Sequence, residues 1–249
     1  IHRYAVVWAN GVRLGEHVGY LSPFEFDVTP HAQPGATIDI TVRVDSIQNW
    51  DIDALIGAMD MIDYMDTYWG GIYGHVTLEA RNESYLSDLF VAPKVGPQRC
   101  EMQAAVHGTP PAGTELCVEV IASDGSVVGE SRINAPADAP VKVNLDAPHA
   151  EVWTPDAPAL YTARASLVRD GNVVDAIETR FGFREIAFEG EKILLNGKRY
   201  FLRGYGDDSI FPETMAPPTN TEFYRKRLAV AKECGFNYVR HHSTMLPPE

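Results

Sequence analysis

Four dipeptides, Asn10-Gly11, Asp124-Gly125, Asp170-Gly171 and Asn196-Gly197, each separate two short runs containing apolar residues. A tight hairpin turn needs positive φ at its central positions, and Asn, Asp and Gly are the residues that tolerate it. Runs flanking such turns fold back on themselves, so the chain is constrained toward antiparallel β structure. Strict alternation over Phe24-Glu25-Phe26-Asp27-Val28 and over residues 38–44 adds strands with one face on a core. The first β region then holds strands over 4–9, 12–14, 24–28 and 38–44.

A second β region extends from about residue 86 to 180, with strands expected over 89–92, 101–106, 116–122, 127–133, 141–143, 161–168 and 173–179. Seven short strands in roughly a hundred residues match an immunoglobulin-like sandwich. Pro110-Pro111 and the prolines at 136 and 140 mark loops between them.

After residue 185 the pattern changes. The turn at Asn196-Gly197 pairs 193–195 with 199–202, and residues 199–203 continue as a strand ending at Arg203 and Gly204. A helix is expected over 222–234, capped by Thr219 or Thr221 and ended by Gly235. A further strand over 237–240 completes one βαβ unit, which needs more units to bury its faces.

Composition narrows the function. The formal net charge of −13 repels nucleic-acid backbones and anionic membranes, so neither is an expected partner. No apolar run approaches the roughly 18 residues of a membrane helix. The three cysteines, Cys100, Cys117 and Cys234, are too scattered for a zinc motif or a disulfide framework; Cys100 and Cys117 could face each other on neighbouring strands, but buried free thiols are the favoured reading for them, and a cytoplasmic setting is leaned toward. The chain opens inside a strand-like run without a Met, which leaves room for an upstream secretion signal.

Specific motifs follow one another in order: Trp8-Ala9-Asn10-Gly11, Pro23-Phe24-Glu25-Phe26-Asp27, Gly71-Ile72-Tyr73, Trp153-Thr154-Pro155 through Leu160-Tyr161, Phe181-Gly182-Phe183-Arg184, Leu195-Asn196-Gly197-Lys198, Leu202-Arg203-Gly204 and Gly235-Phe236-Asn237-Tyr238-Val239-Arg240. Together they resemble glycoside hydrolase family 2, the β-galactosidase, β-glucuronidase and β-mannosidase group, along nearly the whole chain. Gly74 stands where relatives usually have Arg, so that Arg's contact has no counterpart here.

The resemblance implies a mainly β fold: a partial jelly-roll sandwich (1–84), an immunoglobulin-like sandwich (85–184) and the start of a (β/α)8 catalytic barrel (185–249). It also implies the N-terminal part of a retaining exo-β-glycosidase. The family's two catalytic glutamates belong to later barrel strands, so no catalytic residue is expected in this chain. Asn82-Glu83, although the dipeptide in which the family keeps its acid/base, lies in a linker and is taken as coincidence. No cofactor or metal is called for. A carbohydrate is the expected partner, self-association into a homo-oligomer is left open, and a non-catalytic carbohydrate-binding scaffold with a degenerate barrel is the competing reading.

Barrel sites gather at the C-terminal ends of the strands. The resemblance assigns Arg240 to holding the nucleophilic carboxylate through charge-assisted hydrogen bonds. His241 and His242 follow it, and alternation puts His242 on Arg240's face. Arg203, Asp207, Asp208 and Phe211 complete the expected rim, the aspartates as hydroxyl acceptors and Phe211 as a stacking face. Such an acidic rim would repel the carboxylate of a uronic acid. Residues 51–69 form an acidic and aromatic loop, with Asp60, Asp63, Asp66 and Trp69 as candidates for lining a sugar pocket. That loop is equally open to being solvated; a loose Ca²⁺ site is disfavoured, because its carboxylates lack EF-hand spacing.

Overall fold

In a computed structural model, residues 1–20, 22–45, 71–72, 74–207, 211, 213–214 and 217–241 are described. The acidic and aromatic loop at 51–69, Asp208 and His242 lie outside them. The chain divides into two compact units, residues 1–77 with 202–249, and residues 78–201.

Within the first unit, β1 (His2–Ala9) lies between β2 (Val12–Tyr20) and β3 (Ile40–Asp45) in one antiparallel sheet. The β1–β2 turn is the expected one: Asn10 and Gly11 take φ of 48° and 79°. Asn10 also accepts a hydrogen bond from Asp39 N–H at 2.9 Å and donates one to the His31 carbonyl at 2.9 Å, which ties the turn to the approach to β3. The expected strand over 24–28 is not one. Its aromatic rings act by packing instead, Phe24 stacked on His17 at 4.4 Å and the Phe26 ring filling the space where a side chain on Gly15 would stand.

All seven strands expected in the second unit are present. β4 (Tyr85–Lys94), β5 (Arg99–His107) and β8 (Ala139–Asp146) form one sheet, and β10 (Asn172–Phe181), β9 (Tyr161–Arg169), β6 (Glu115–Ile121) and β7 (Val127–Asn134) form the other in that order. Alternate side chains enter the shared core: Cys100, Met102, Ala104 and Val106 from β5, and Leu116, Val118 and Val120 from β6, are buried. Cys100 and Cys117 do not face each other. Cys100 belongs to that core, where burial pushes its thiol up to about 12, whereas Cys117 stands on the opposite face of β6, in register with Arg132 and Ser166. All three cysteines are free.

The Phe181–Arg184 motif is a packing device. Phe183 is fully buried, its ring 5.4 Å from Tyr161 and 5.1 Å from Phe181. Gly182 is required because Trp153 lies 2.9 Å from where a Cβ would be. The Arg184 guanidinium lies over that indole, 4.8 Å from the ring centre.

β12 (Lys192–Leu195) is paired with β11 (Ile186–Glu189) and β13 (Lys198–Arg199), the latter across the Asn196-Gly197 turn, with φ of 52° and 74°. Asn196 does more than turn. Its side chain accepts from Glu185 N–H at 2.9 Å and donates to the Trp153 carbonyl at 2.9 Å, while its own N–H donates to the Glu185 carbonyl at 2.8 Å. Asn196→Ala removes both side-chain bonds, strands half-buried partners and puts a β-carbon residue other than Asn at positive φ. We expect a loss of about 2–3 kcal/mol in urea unfolding. Asn196→Gly, which relieves the backbone but not the hydrogen bonds, should recover only about 1 kcal/mol of it.

Candidate active-site rim at the start of a barrel

A parallel strand pair, β14 (Gly204–Asp207) and β15 (Tyr238–His241), is joined by helix α1 (Thr221–Glu233). Asn220, not Thr219 or Thr221, is the cap: its backbone is extended and its side chain accepts from Glu222 N–H. Cys234 ends the helix and Gly235, at φ 83°, turns the chain.

The first strand starts where sequence alone would end it. Arg203 N–H donates to the Asn237 side chain at 2.7 Å, and Arg203 Nε to the Gly235 carbonyl at 2.8 Å. These bonds tie the chain entering β14 to the turn that follows α1. Arg203 therefore stands at the N-terminal end of the strands, the end associated with stability, and not on the rim.

Register decides which candidates share a face. Gly206 pairs with Arg240 and Asp207 with His241. Tyr205 and Asp207 turn toward the helix: Tyr205 packs on Phe236 at 5.3 Å, and the Asp207 carboxylate meets Arg227 Nη2 at 3.2 Å. His241 Nδ1 stands 3.9 Å from the same carboxylate oxygen. Alternation then places Arg240, which is exposed, on the face turned away from α1. On that face the Tyr238 ring occupies the space a side chain on Gly204 would need.

Phe211 is a correction. It is only 3% exposed, its ring lies 5.9 Å from Phe223 of α1, and the Arg227 guanidinium sits over both rings. Its face is used in packing and is not offered to a sugar. Arg227 was missed by the sequence reading, yet the signal was there. It follows Phe223 by one helical turn, and Ala231 follows it by another, so its stem shares the strand-facing side of the helix. Of the expected rim, the structure thus leaves Arg240 on the open face, puts Asp207 and His241 behind it with Arg227, and removes Arg203 and Phe211. Leu228 and Val230 of α1 are 49% and 61% exposed.

Antiparallel sandwich-like sheets followed by a parallel βαβ unit are the architecture of sandwich domains preceding the start of a barrel. The model of the family described as "Glycosyl hydrolases family 2" matches residues 84–184. A β-galactosidase of Thermoanaerobacter pseudethanolicus is 31% identical over 247 residues, 95% of this chain and 32% of that protein. Among solved structures, a family 2 glycosyl hydrolase of Bacteroides cellulosilyticus superposes with a TM-score of 0.78 at 23% identity, over 100% of this chain and 34% of the other. The Bacteroides uniformis β-glucuronidase 2 does so with a TM-score of 0.76 at 25% identity, over 100% of this chain and 31% of the other. The chain belongs to glycoside hydrolase family 2. It spans about a third of the length of the curated β-galactosidase it matches.

Proposed function

We propose that this chain is part of a retaining, exo-acting β-glycosidase that cuts terminal sugars from glycosides or oligosaccharides. The observation that carries the reading is Arg240, presented at the C-terminal end of a parallel strand on the face turned away from the strand's own helix. That is where a barrel gathers its chemistry. Retention is supported by the related B. uniformis β-glucuronidase 2, which was captured covalently bound to cyclophellitol-6-carboxylate aziridine. Such capture needs an enzymic nucleophile, the hallmark of the retaining route with its two carboxyl groups about 5–5.5 Å apart.

In this reading, Arg240 holds the nucleophilic carboxylate ionised and aimed, and both glutamates come from barrel strands outside residues 1–249. The three proposed domains are 1–84, 85–184 and 185–249. The acidic-rim argument against a uronic acid substrate loses Asp207, whose carboxylate is bound to Arg227 on the helix side.

Expression of the whole gene product and assay on a panel of chromogenic α- and β-glycosides tests the reading. Hydrolysis confined to β-linked sugars, with residues 1–249 alone inactive, is the expected result. Activity on α-linked sugars only, or turnover by 1–249 alone, would contradict it.

A further inference from the structure

Three polar side chains from three successive elements meet behind the open face of the strand pair. Asp207 ends β14, its side chain only 10% exposed; Arg227 comes from the middle of α1, its guanidinium lying across the Phe211 and Phe223 rings; His241 ends β15, with its buried Nδ1 3.9 Å from Asp207 Oδ2. Arg227 is held by two aromatic faces as well as by the carboxylate, so it is a fixed anchor rather than a mobile surface cation. His241 Nδ1 makes no hydrogen bond among the described residues, and it stands 3.9 Å from the carboxylate that Arg227 pairs with.

His241 is the immediate neighbour of Arg240, and the two point to opposite faces of β15. Anything that fixes the His241 side chain also fixes the backbone on which Arg240 is mounted. We propose that Asp207 is a positioning residue: anchored by Arg227, its carboxylate orients His241 and so sets the direction in which Arg240 reaches into the active site. This inference rests on the proposed glycosidase reading, in which Arg240 acts on the nucleophile. In this proposal the network acts through Arg240 and not on substrate, and it couples α1 to the active face through β15.

The test is made in the full-length protein. Asp207→Asn keeps shape and removes charge; it is expected to lower kcat about 10–100-fold while KM stays within about twofold, the signature of a misdirected catalytic group. Arg227→Met should give a similar loss and serves as the second variant if Asp207→Asn does not fold. The double variant should be no worse than about twofold below either single one, because both break one chain of contacts. Asp207→Glu should recover part of kcat, and Arg225→Ala, on the exposed flank of α1, should match the wild type. Wild-type kcat in Asp207→Asn, or losses that multiply in the double variant, would overturn the proposal. If the wild type cleaves none of the glycosides, the functional reading fails by itself. Hydrogen exchange over Tyr238–His241 then decides: faster exchange in Asp207→Asn upholds the positioning network, and unchanged exchange overturns it.

Discussion

Phe183→Ala is expected to destabilise the second unit by about 3–5 kcal/mol, the range for removing a fully buried aromatic ring from a packed core. The side chain is 0% exposed and is the largest of the fully buried ones among the described residues. Two aromatic partners surround it, Tyr161 edge-on at 5.4 Å and Phe181 tilted at 5.1 Å, and such pairs contribute beyond the area they bury. Its backbone is engaged as well: the Phe183 carbonyl accepts from Trp153 N–H at 3.0 Å, and the residue bridges Val152. The void cannot close cheaply, because Trp153 is itself held against Gly182 and under Arg184. A loss of that size is a large part of a typical domain's stability of about 5–15 kcal/mol. Urea unfolding, together with hydrogen exchange in β6 and β9, measures it. Phe188→Ala is the control: at 76% exposure it should change stability by less than about 0.5 kcal/mol. If the two substitutions cost the same, Phe183 does not seat the core as described.

Within the second unit, β6, β7, β9 and β10 were legible because they combine alternation with a turn whose chemistry is local. Asp170-Gly171 and Asn196-Gly197 adopt positive φ at both residues, as type I′ turns do. Asp124-Gly125 shows how the same dipeptide can act differently. Only Gly125 has positive φ, and the Asp124 carboxylate accepts from Ser126 N–H and Oγ–H, closing an Asx turn beside a bulge at Val120/Ile121. Alternation alone says that one face is buried and says nothing about a hydrogen-bonded neighbour. Residues 24–28 alternate as cleanly as any stretch, and they pack their rings without forming a strand.

The site was harder to read for a related reason. β14 and β15 are four residues each, and in so short a strand a shift of one residue exchanges the faces of every side chain. The sequence placed the end of the first strand at Arg203, and the ladder starts at Gly204. That displacement moves Arg203 to the other end of the strand. The helix cap shows the same limit, since Thr219, Asn220 and Thr221 are all capable caps. Backbone direction selects Asn220. Arg240 survived these shifts because it is near the end of β15 under either boundary.

Arg240→Met in the full-length protein is expected to lower kcat/KM by about 100–1,000-fold, the usual effect of deleting one preorganised donor from a site of developing charge. The proposed role is to pair with a carboxylate nucleophile, and a carboxylate that loses its charge-assisted partner is both less ionised and less well aimed. Arg240→Lys should recover little, because an ammonium cannot reproduce the two parallel bonds of a guanidinium. Stability separates this role from a structural one. The Arg240 side chain is exposed in the βαβ unit, so its removal should leave the melting temperature of the chain within about 2 °C of wild type, the range of a neutral surface change. A variant that melts early and keeps its kcat/KM would mean that Arg240 only closes the barrel. A variant that melts normally and loses activity would put it on the nucleophile. The comparison with Asp207→Asn then orders the two groups. In the proposed roles Arg240 acts on the reacting carboxylate directly and Asp207 only through His241 and the backbone of β15, so the loss at Arg240 should exceed that at Asp207.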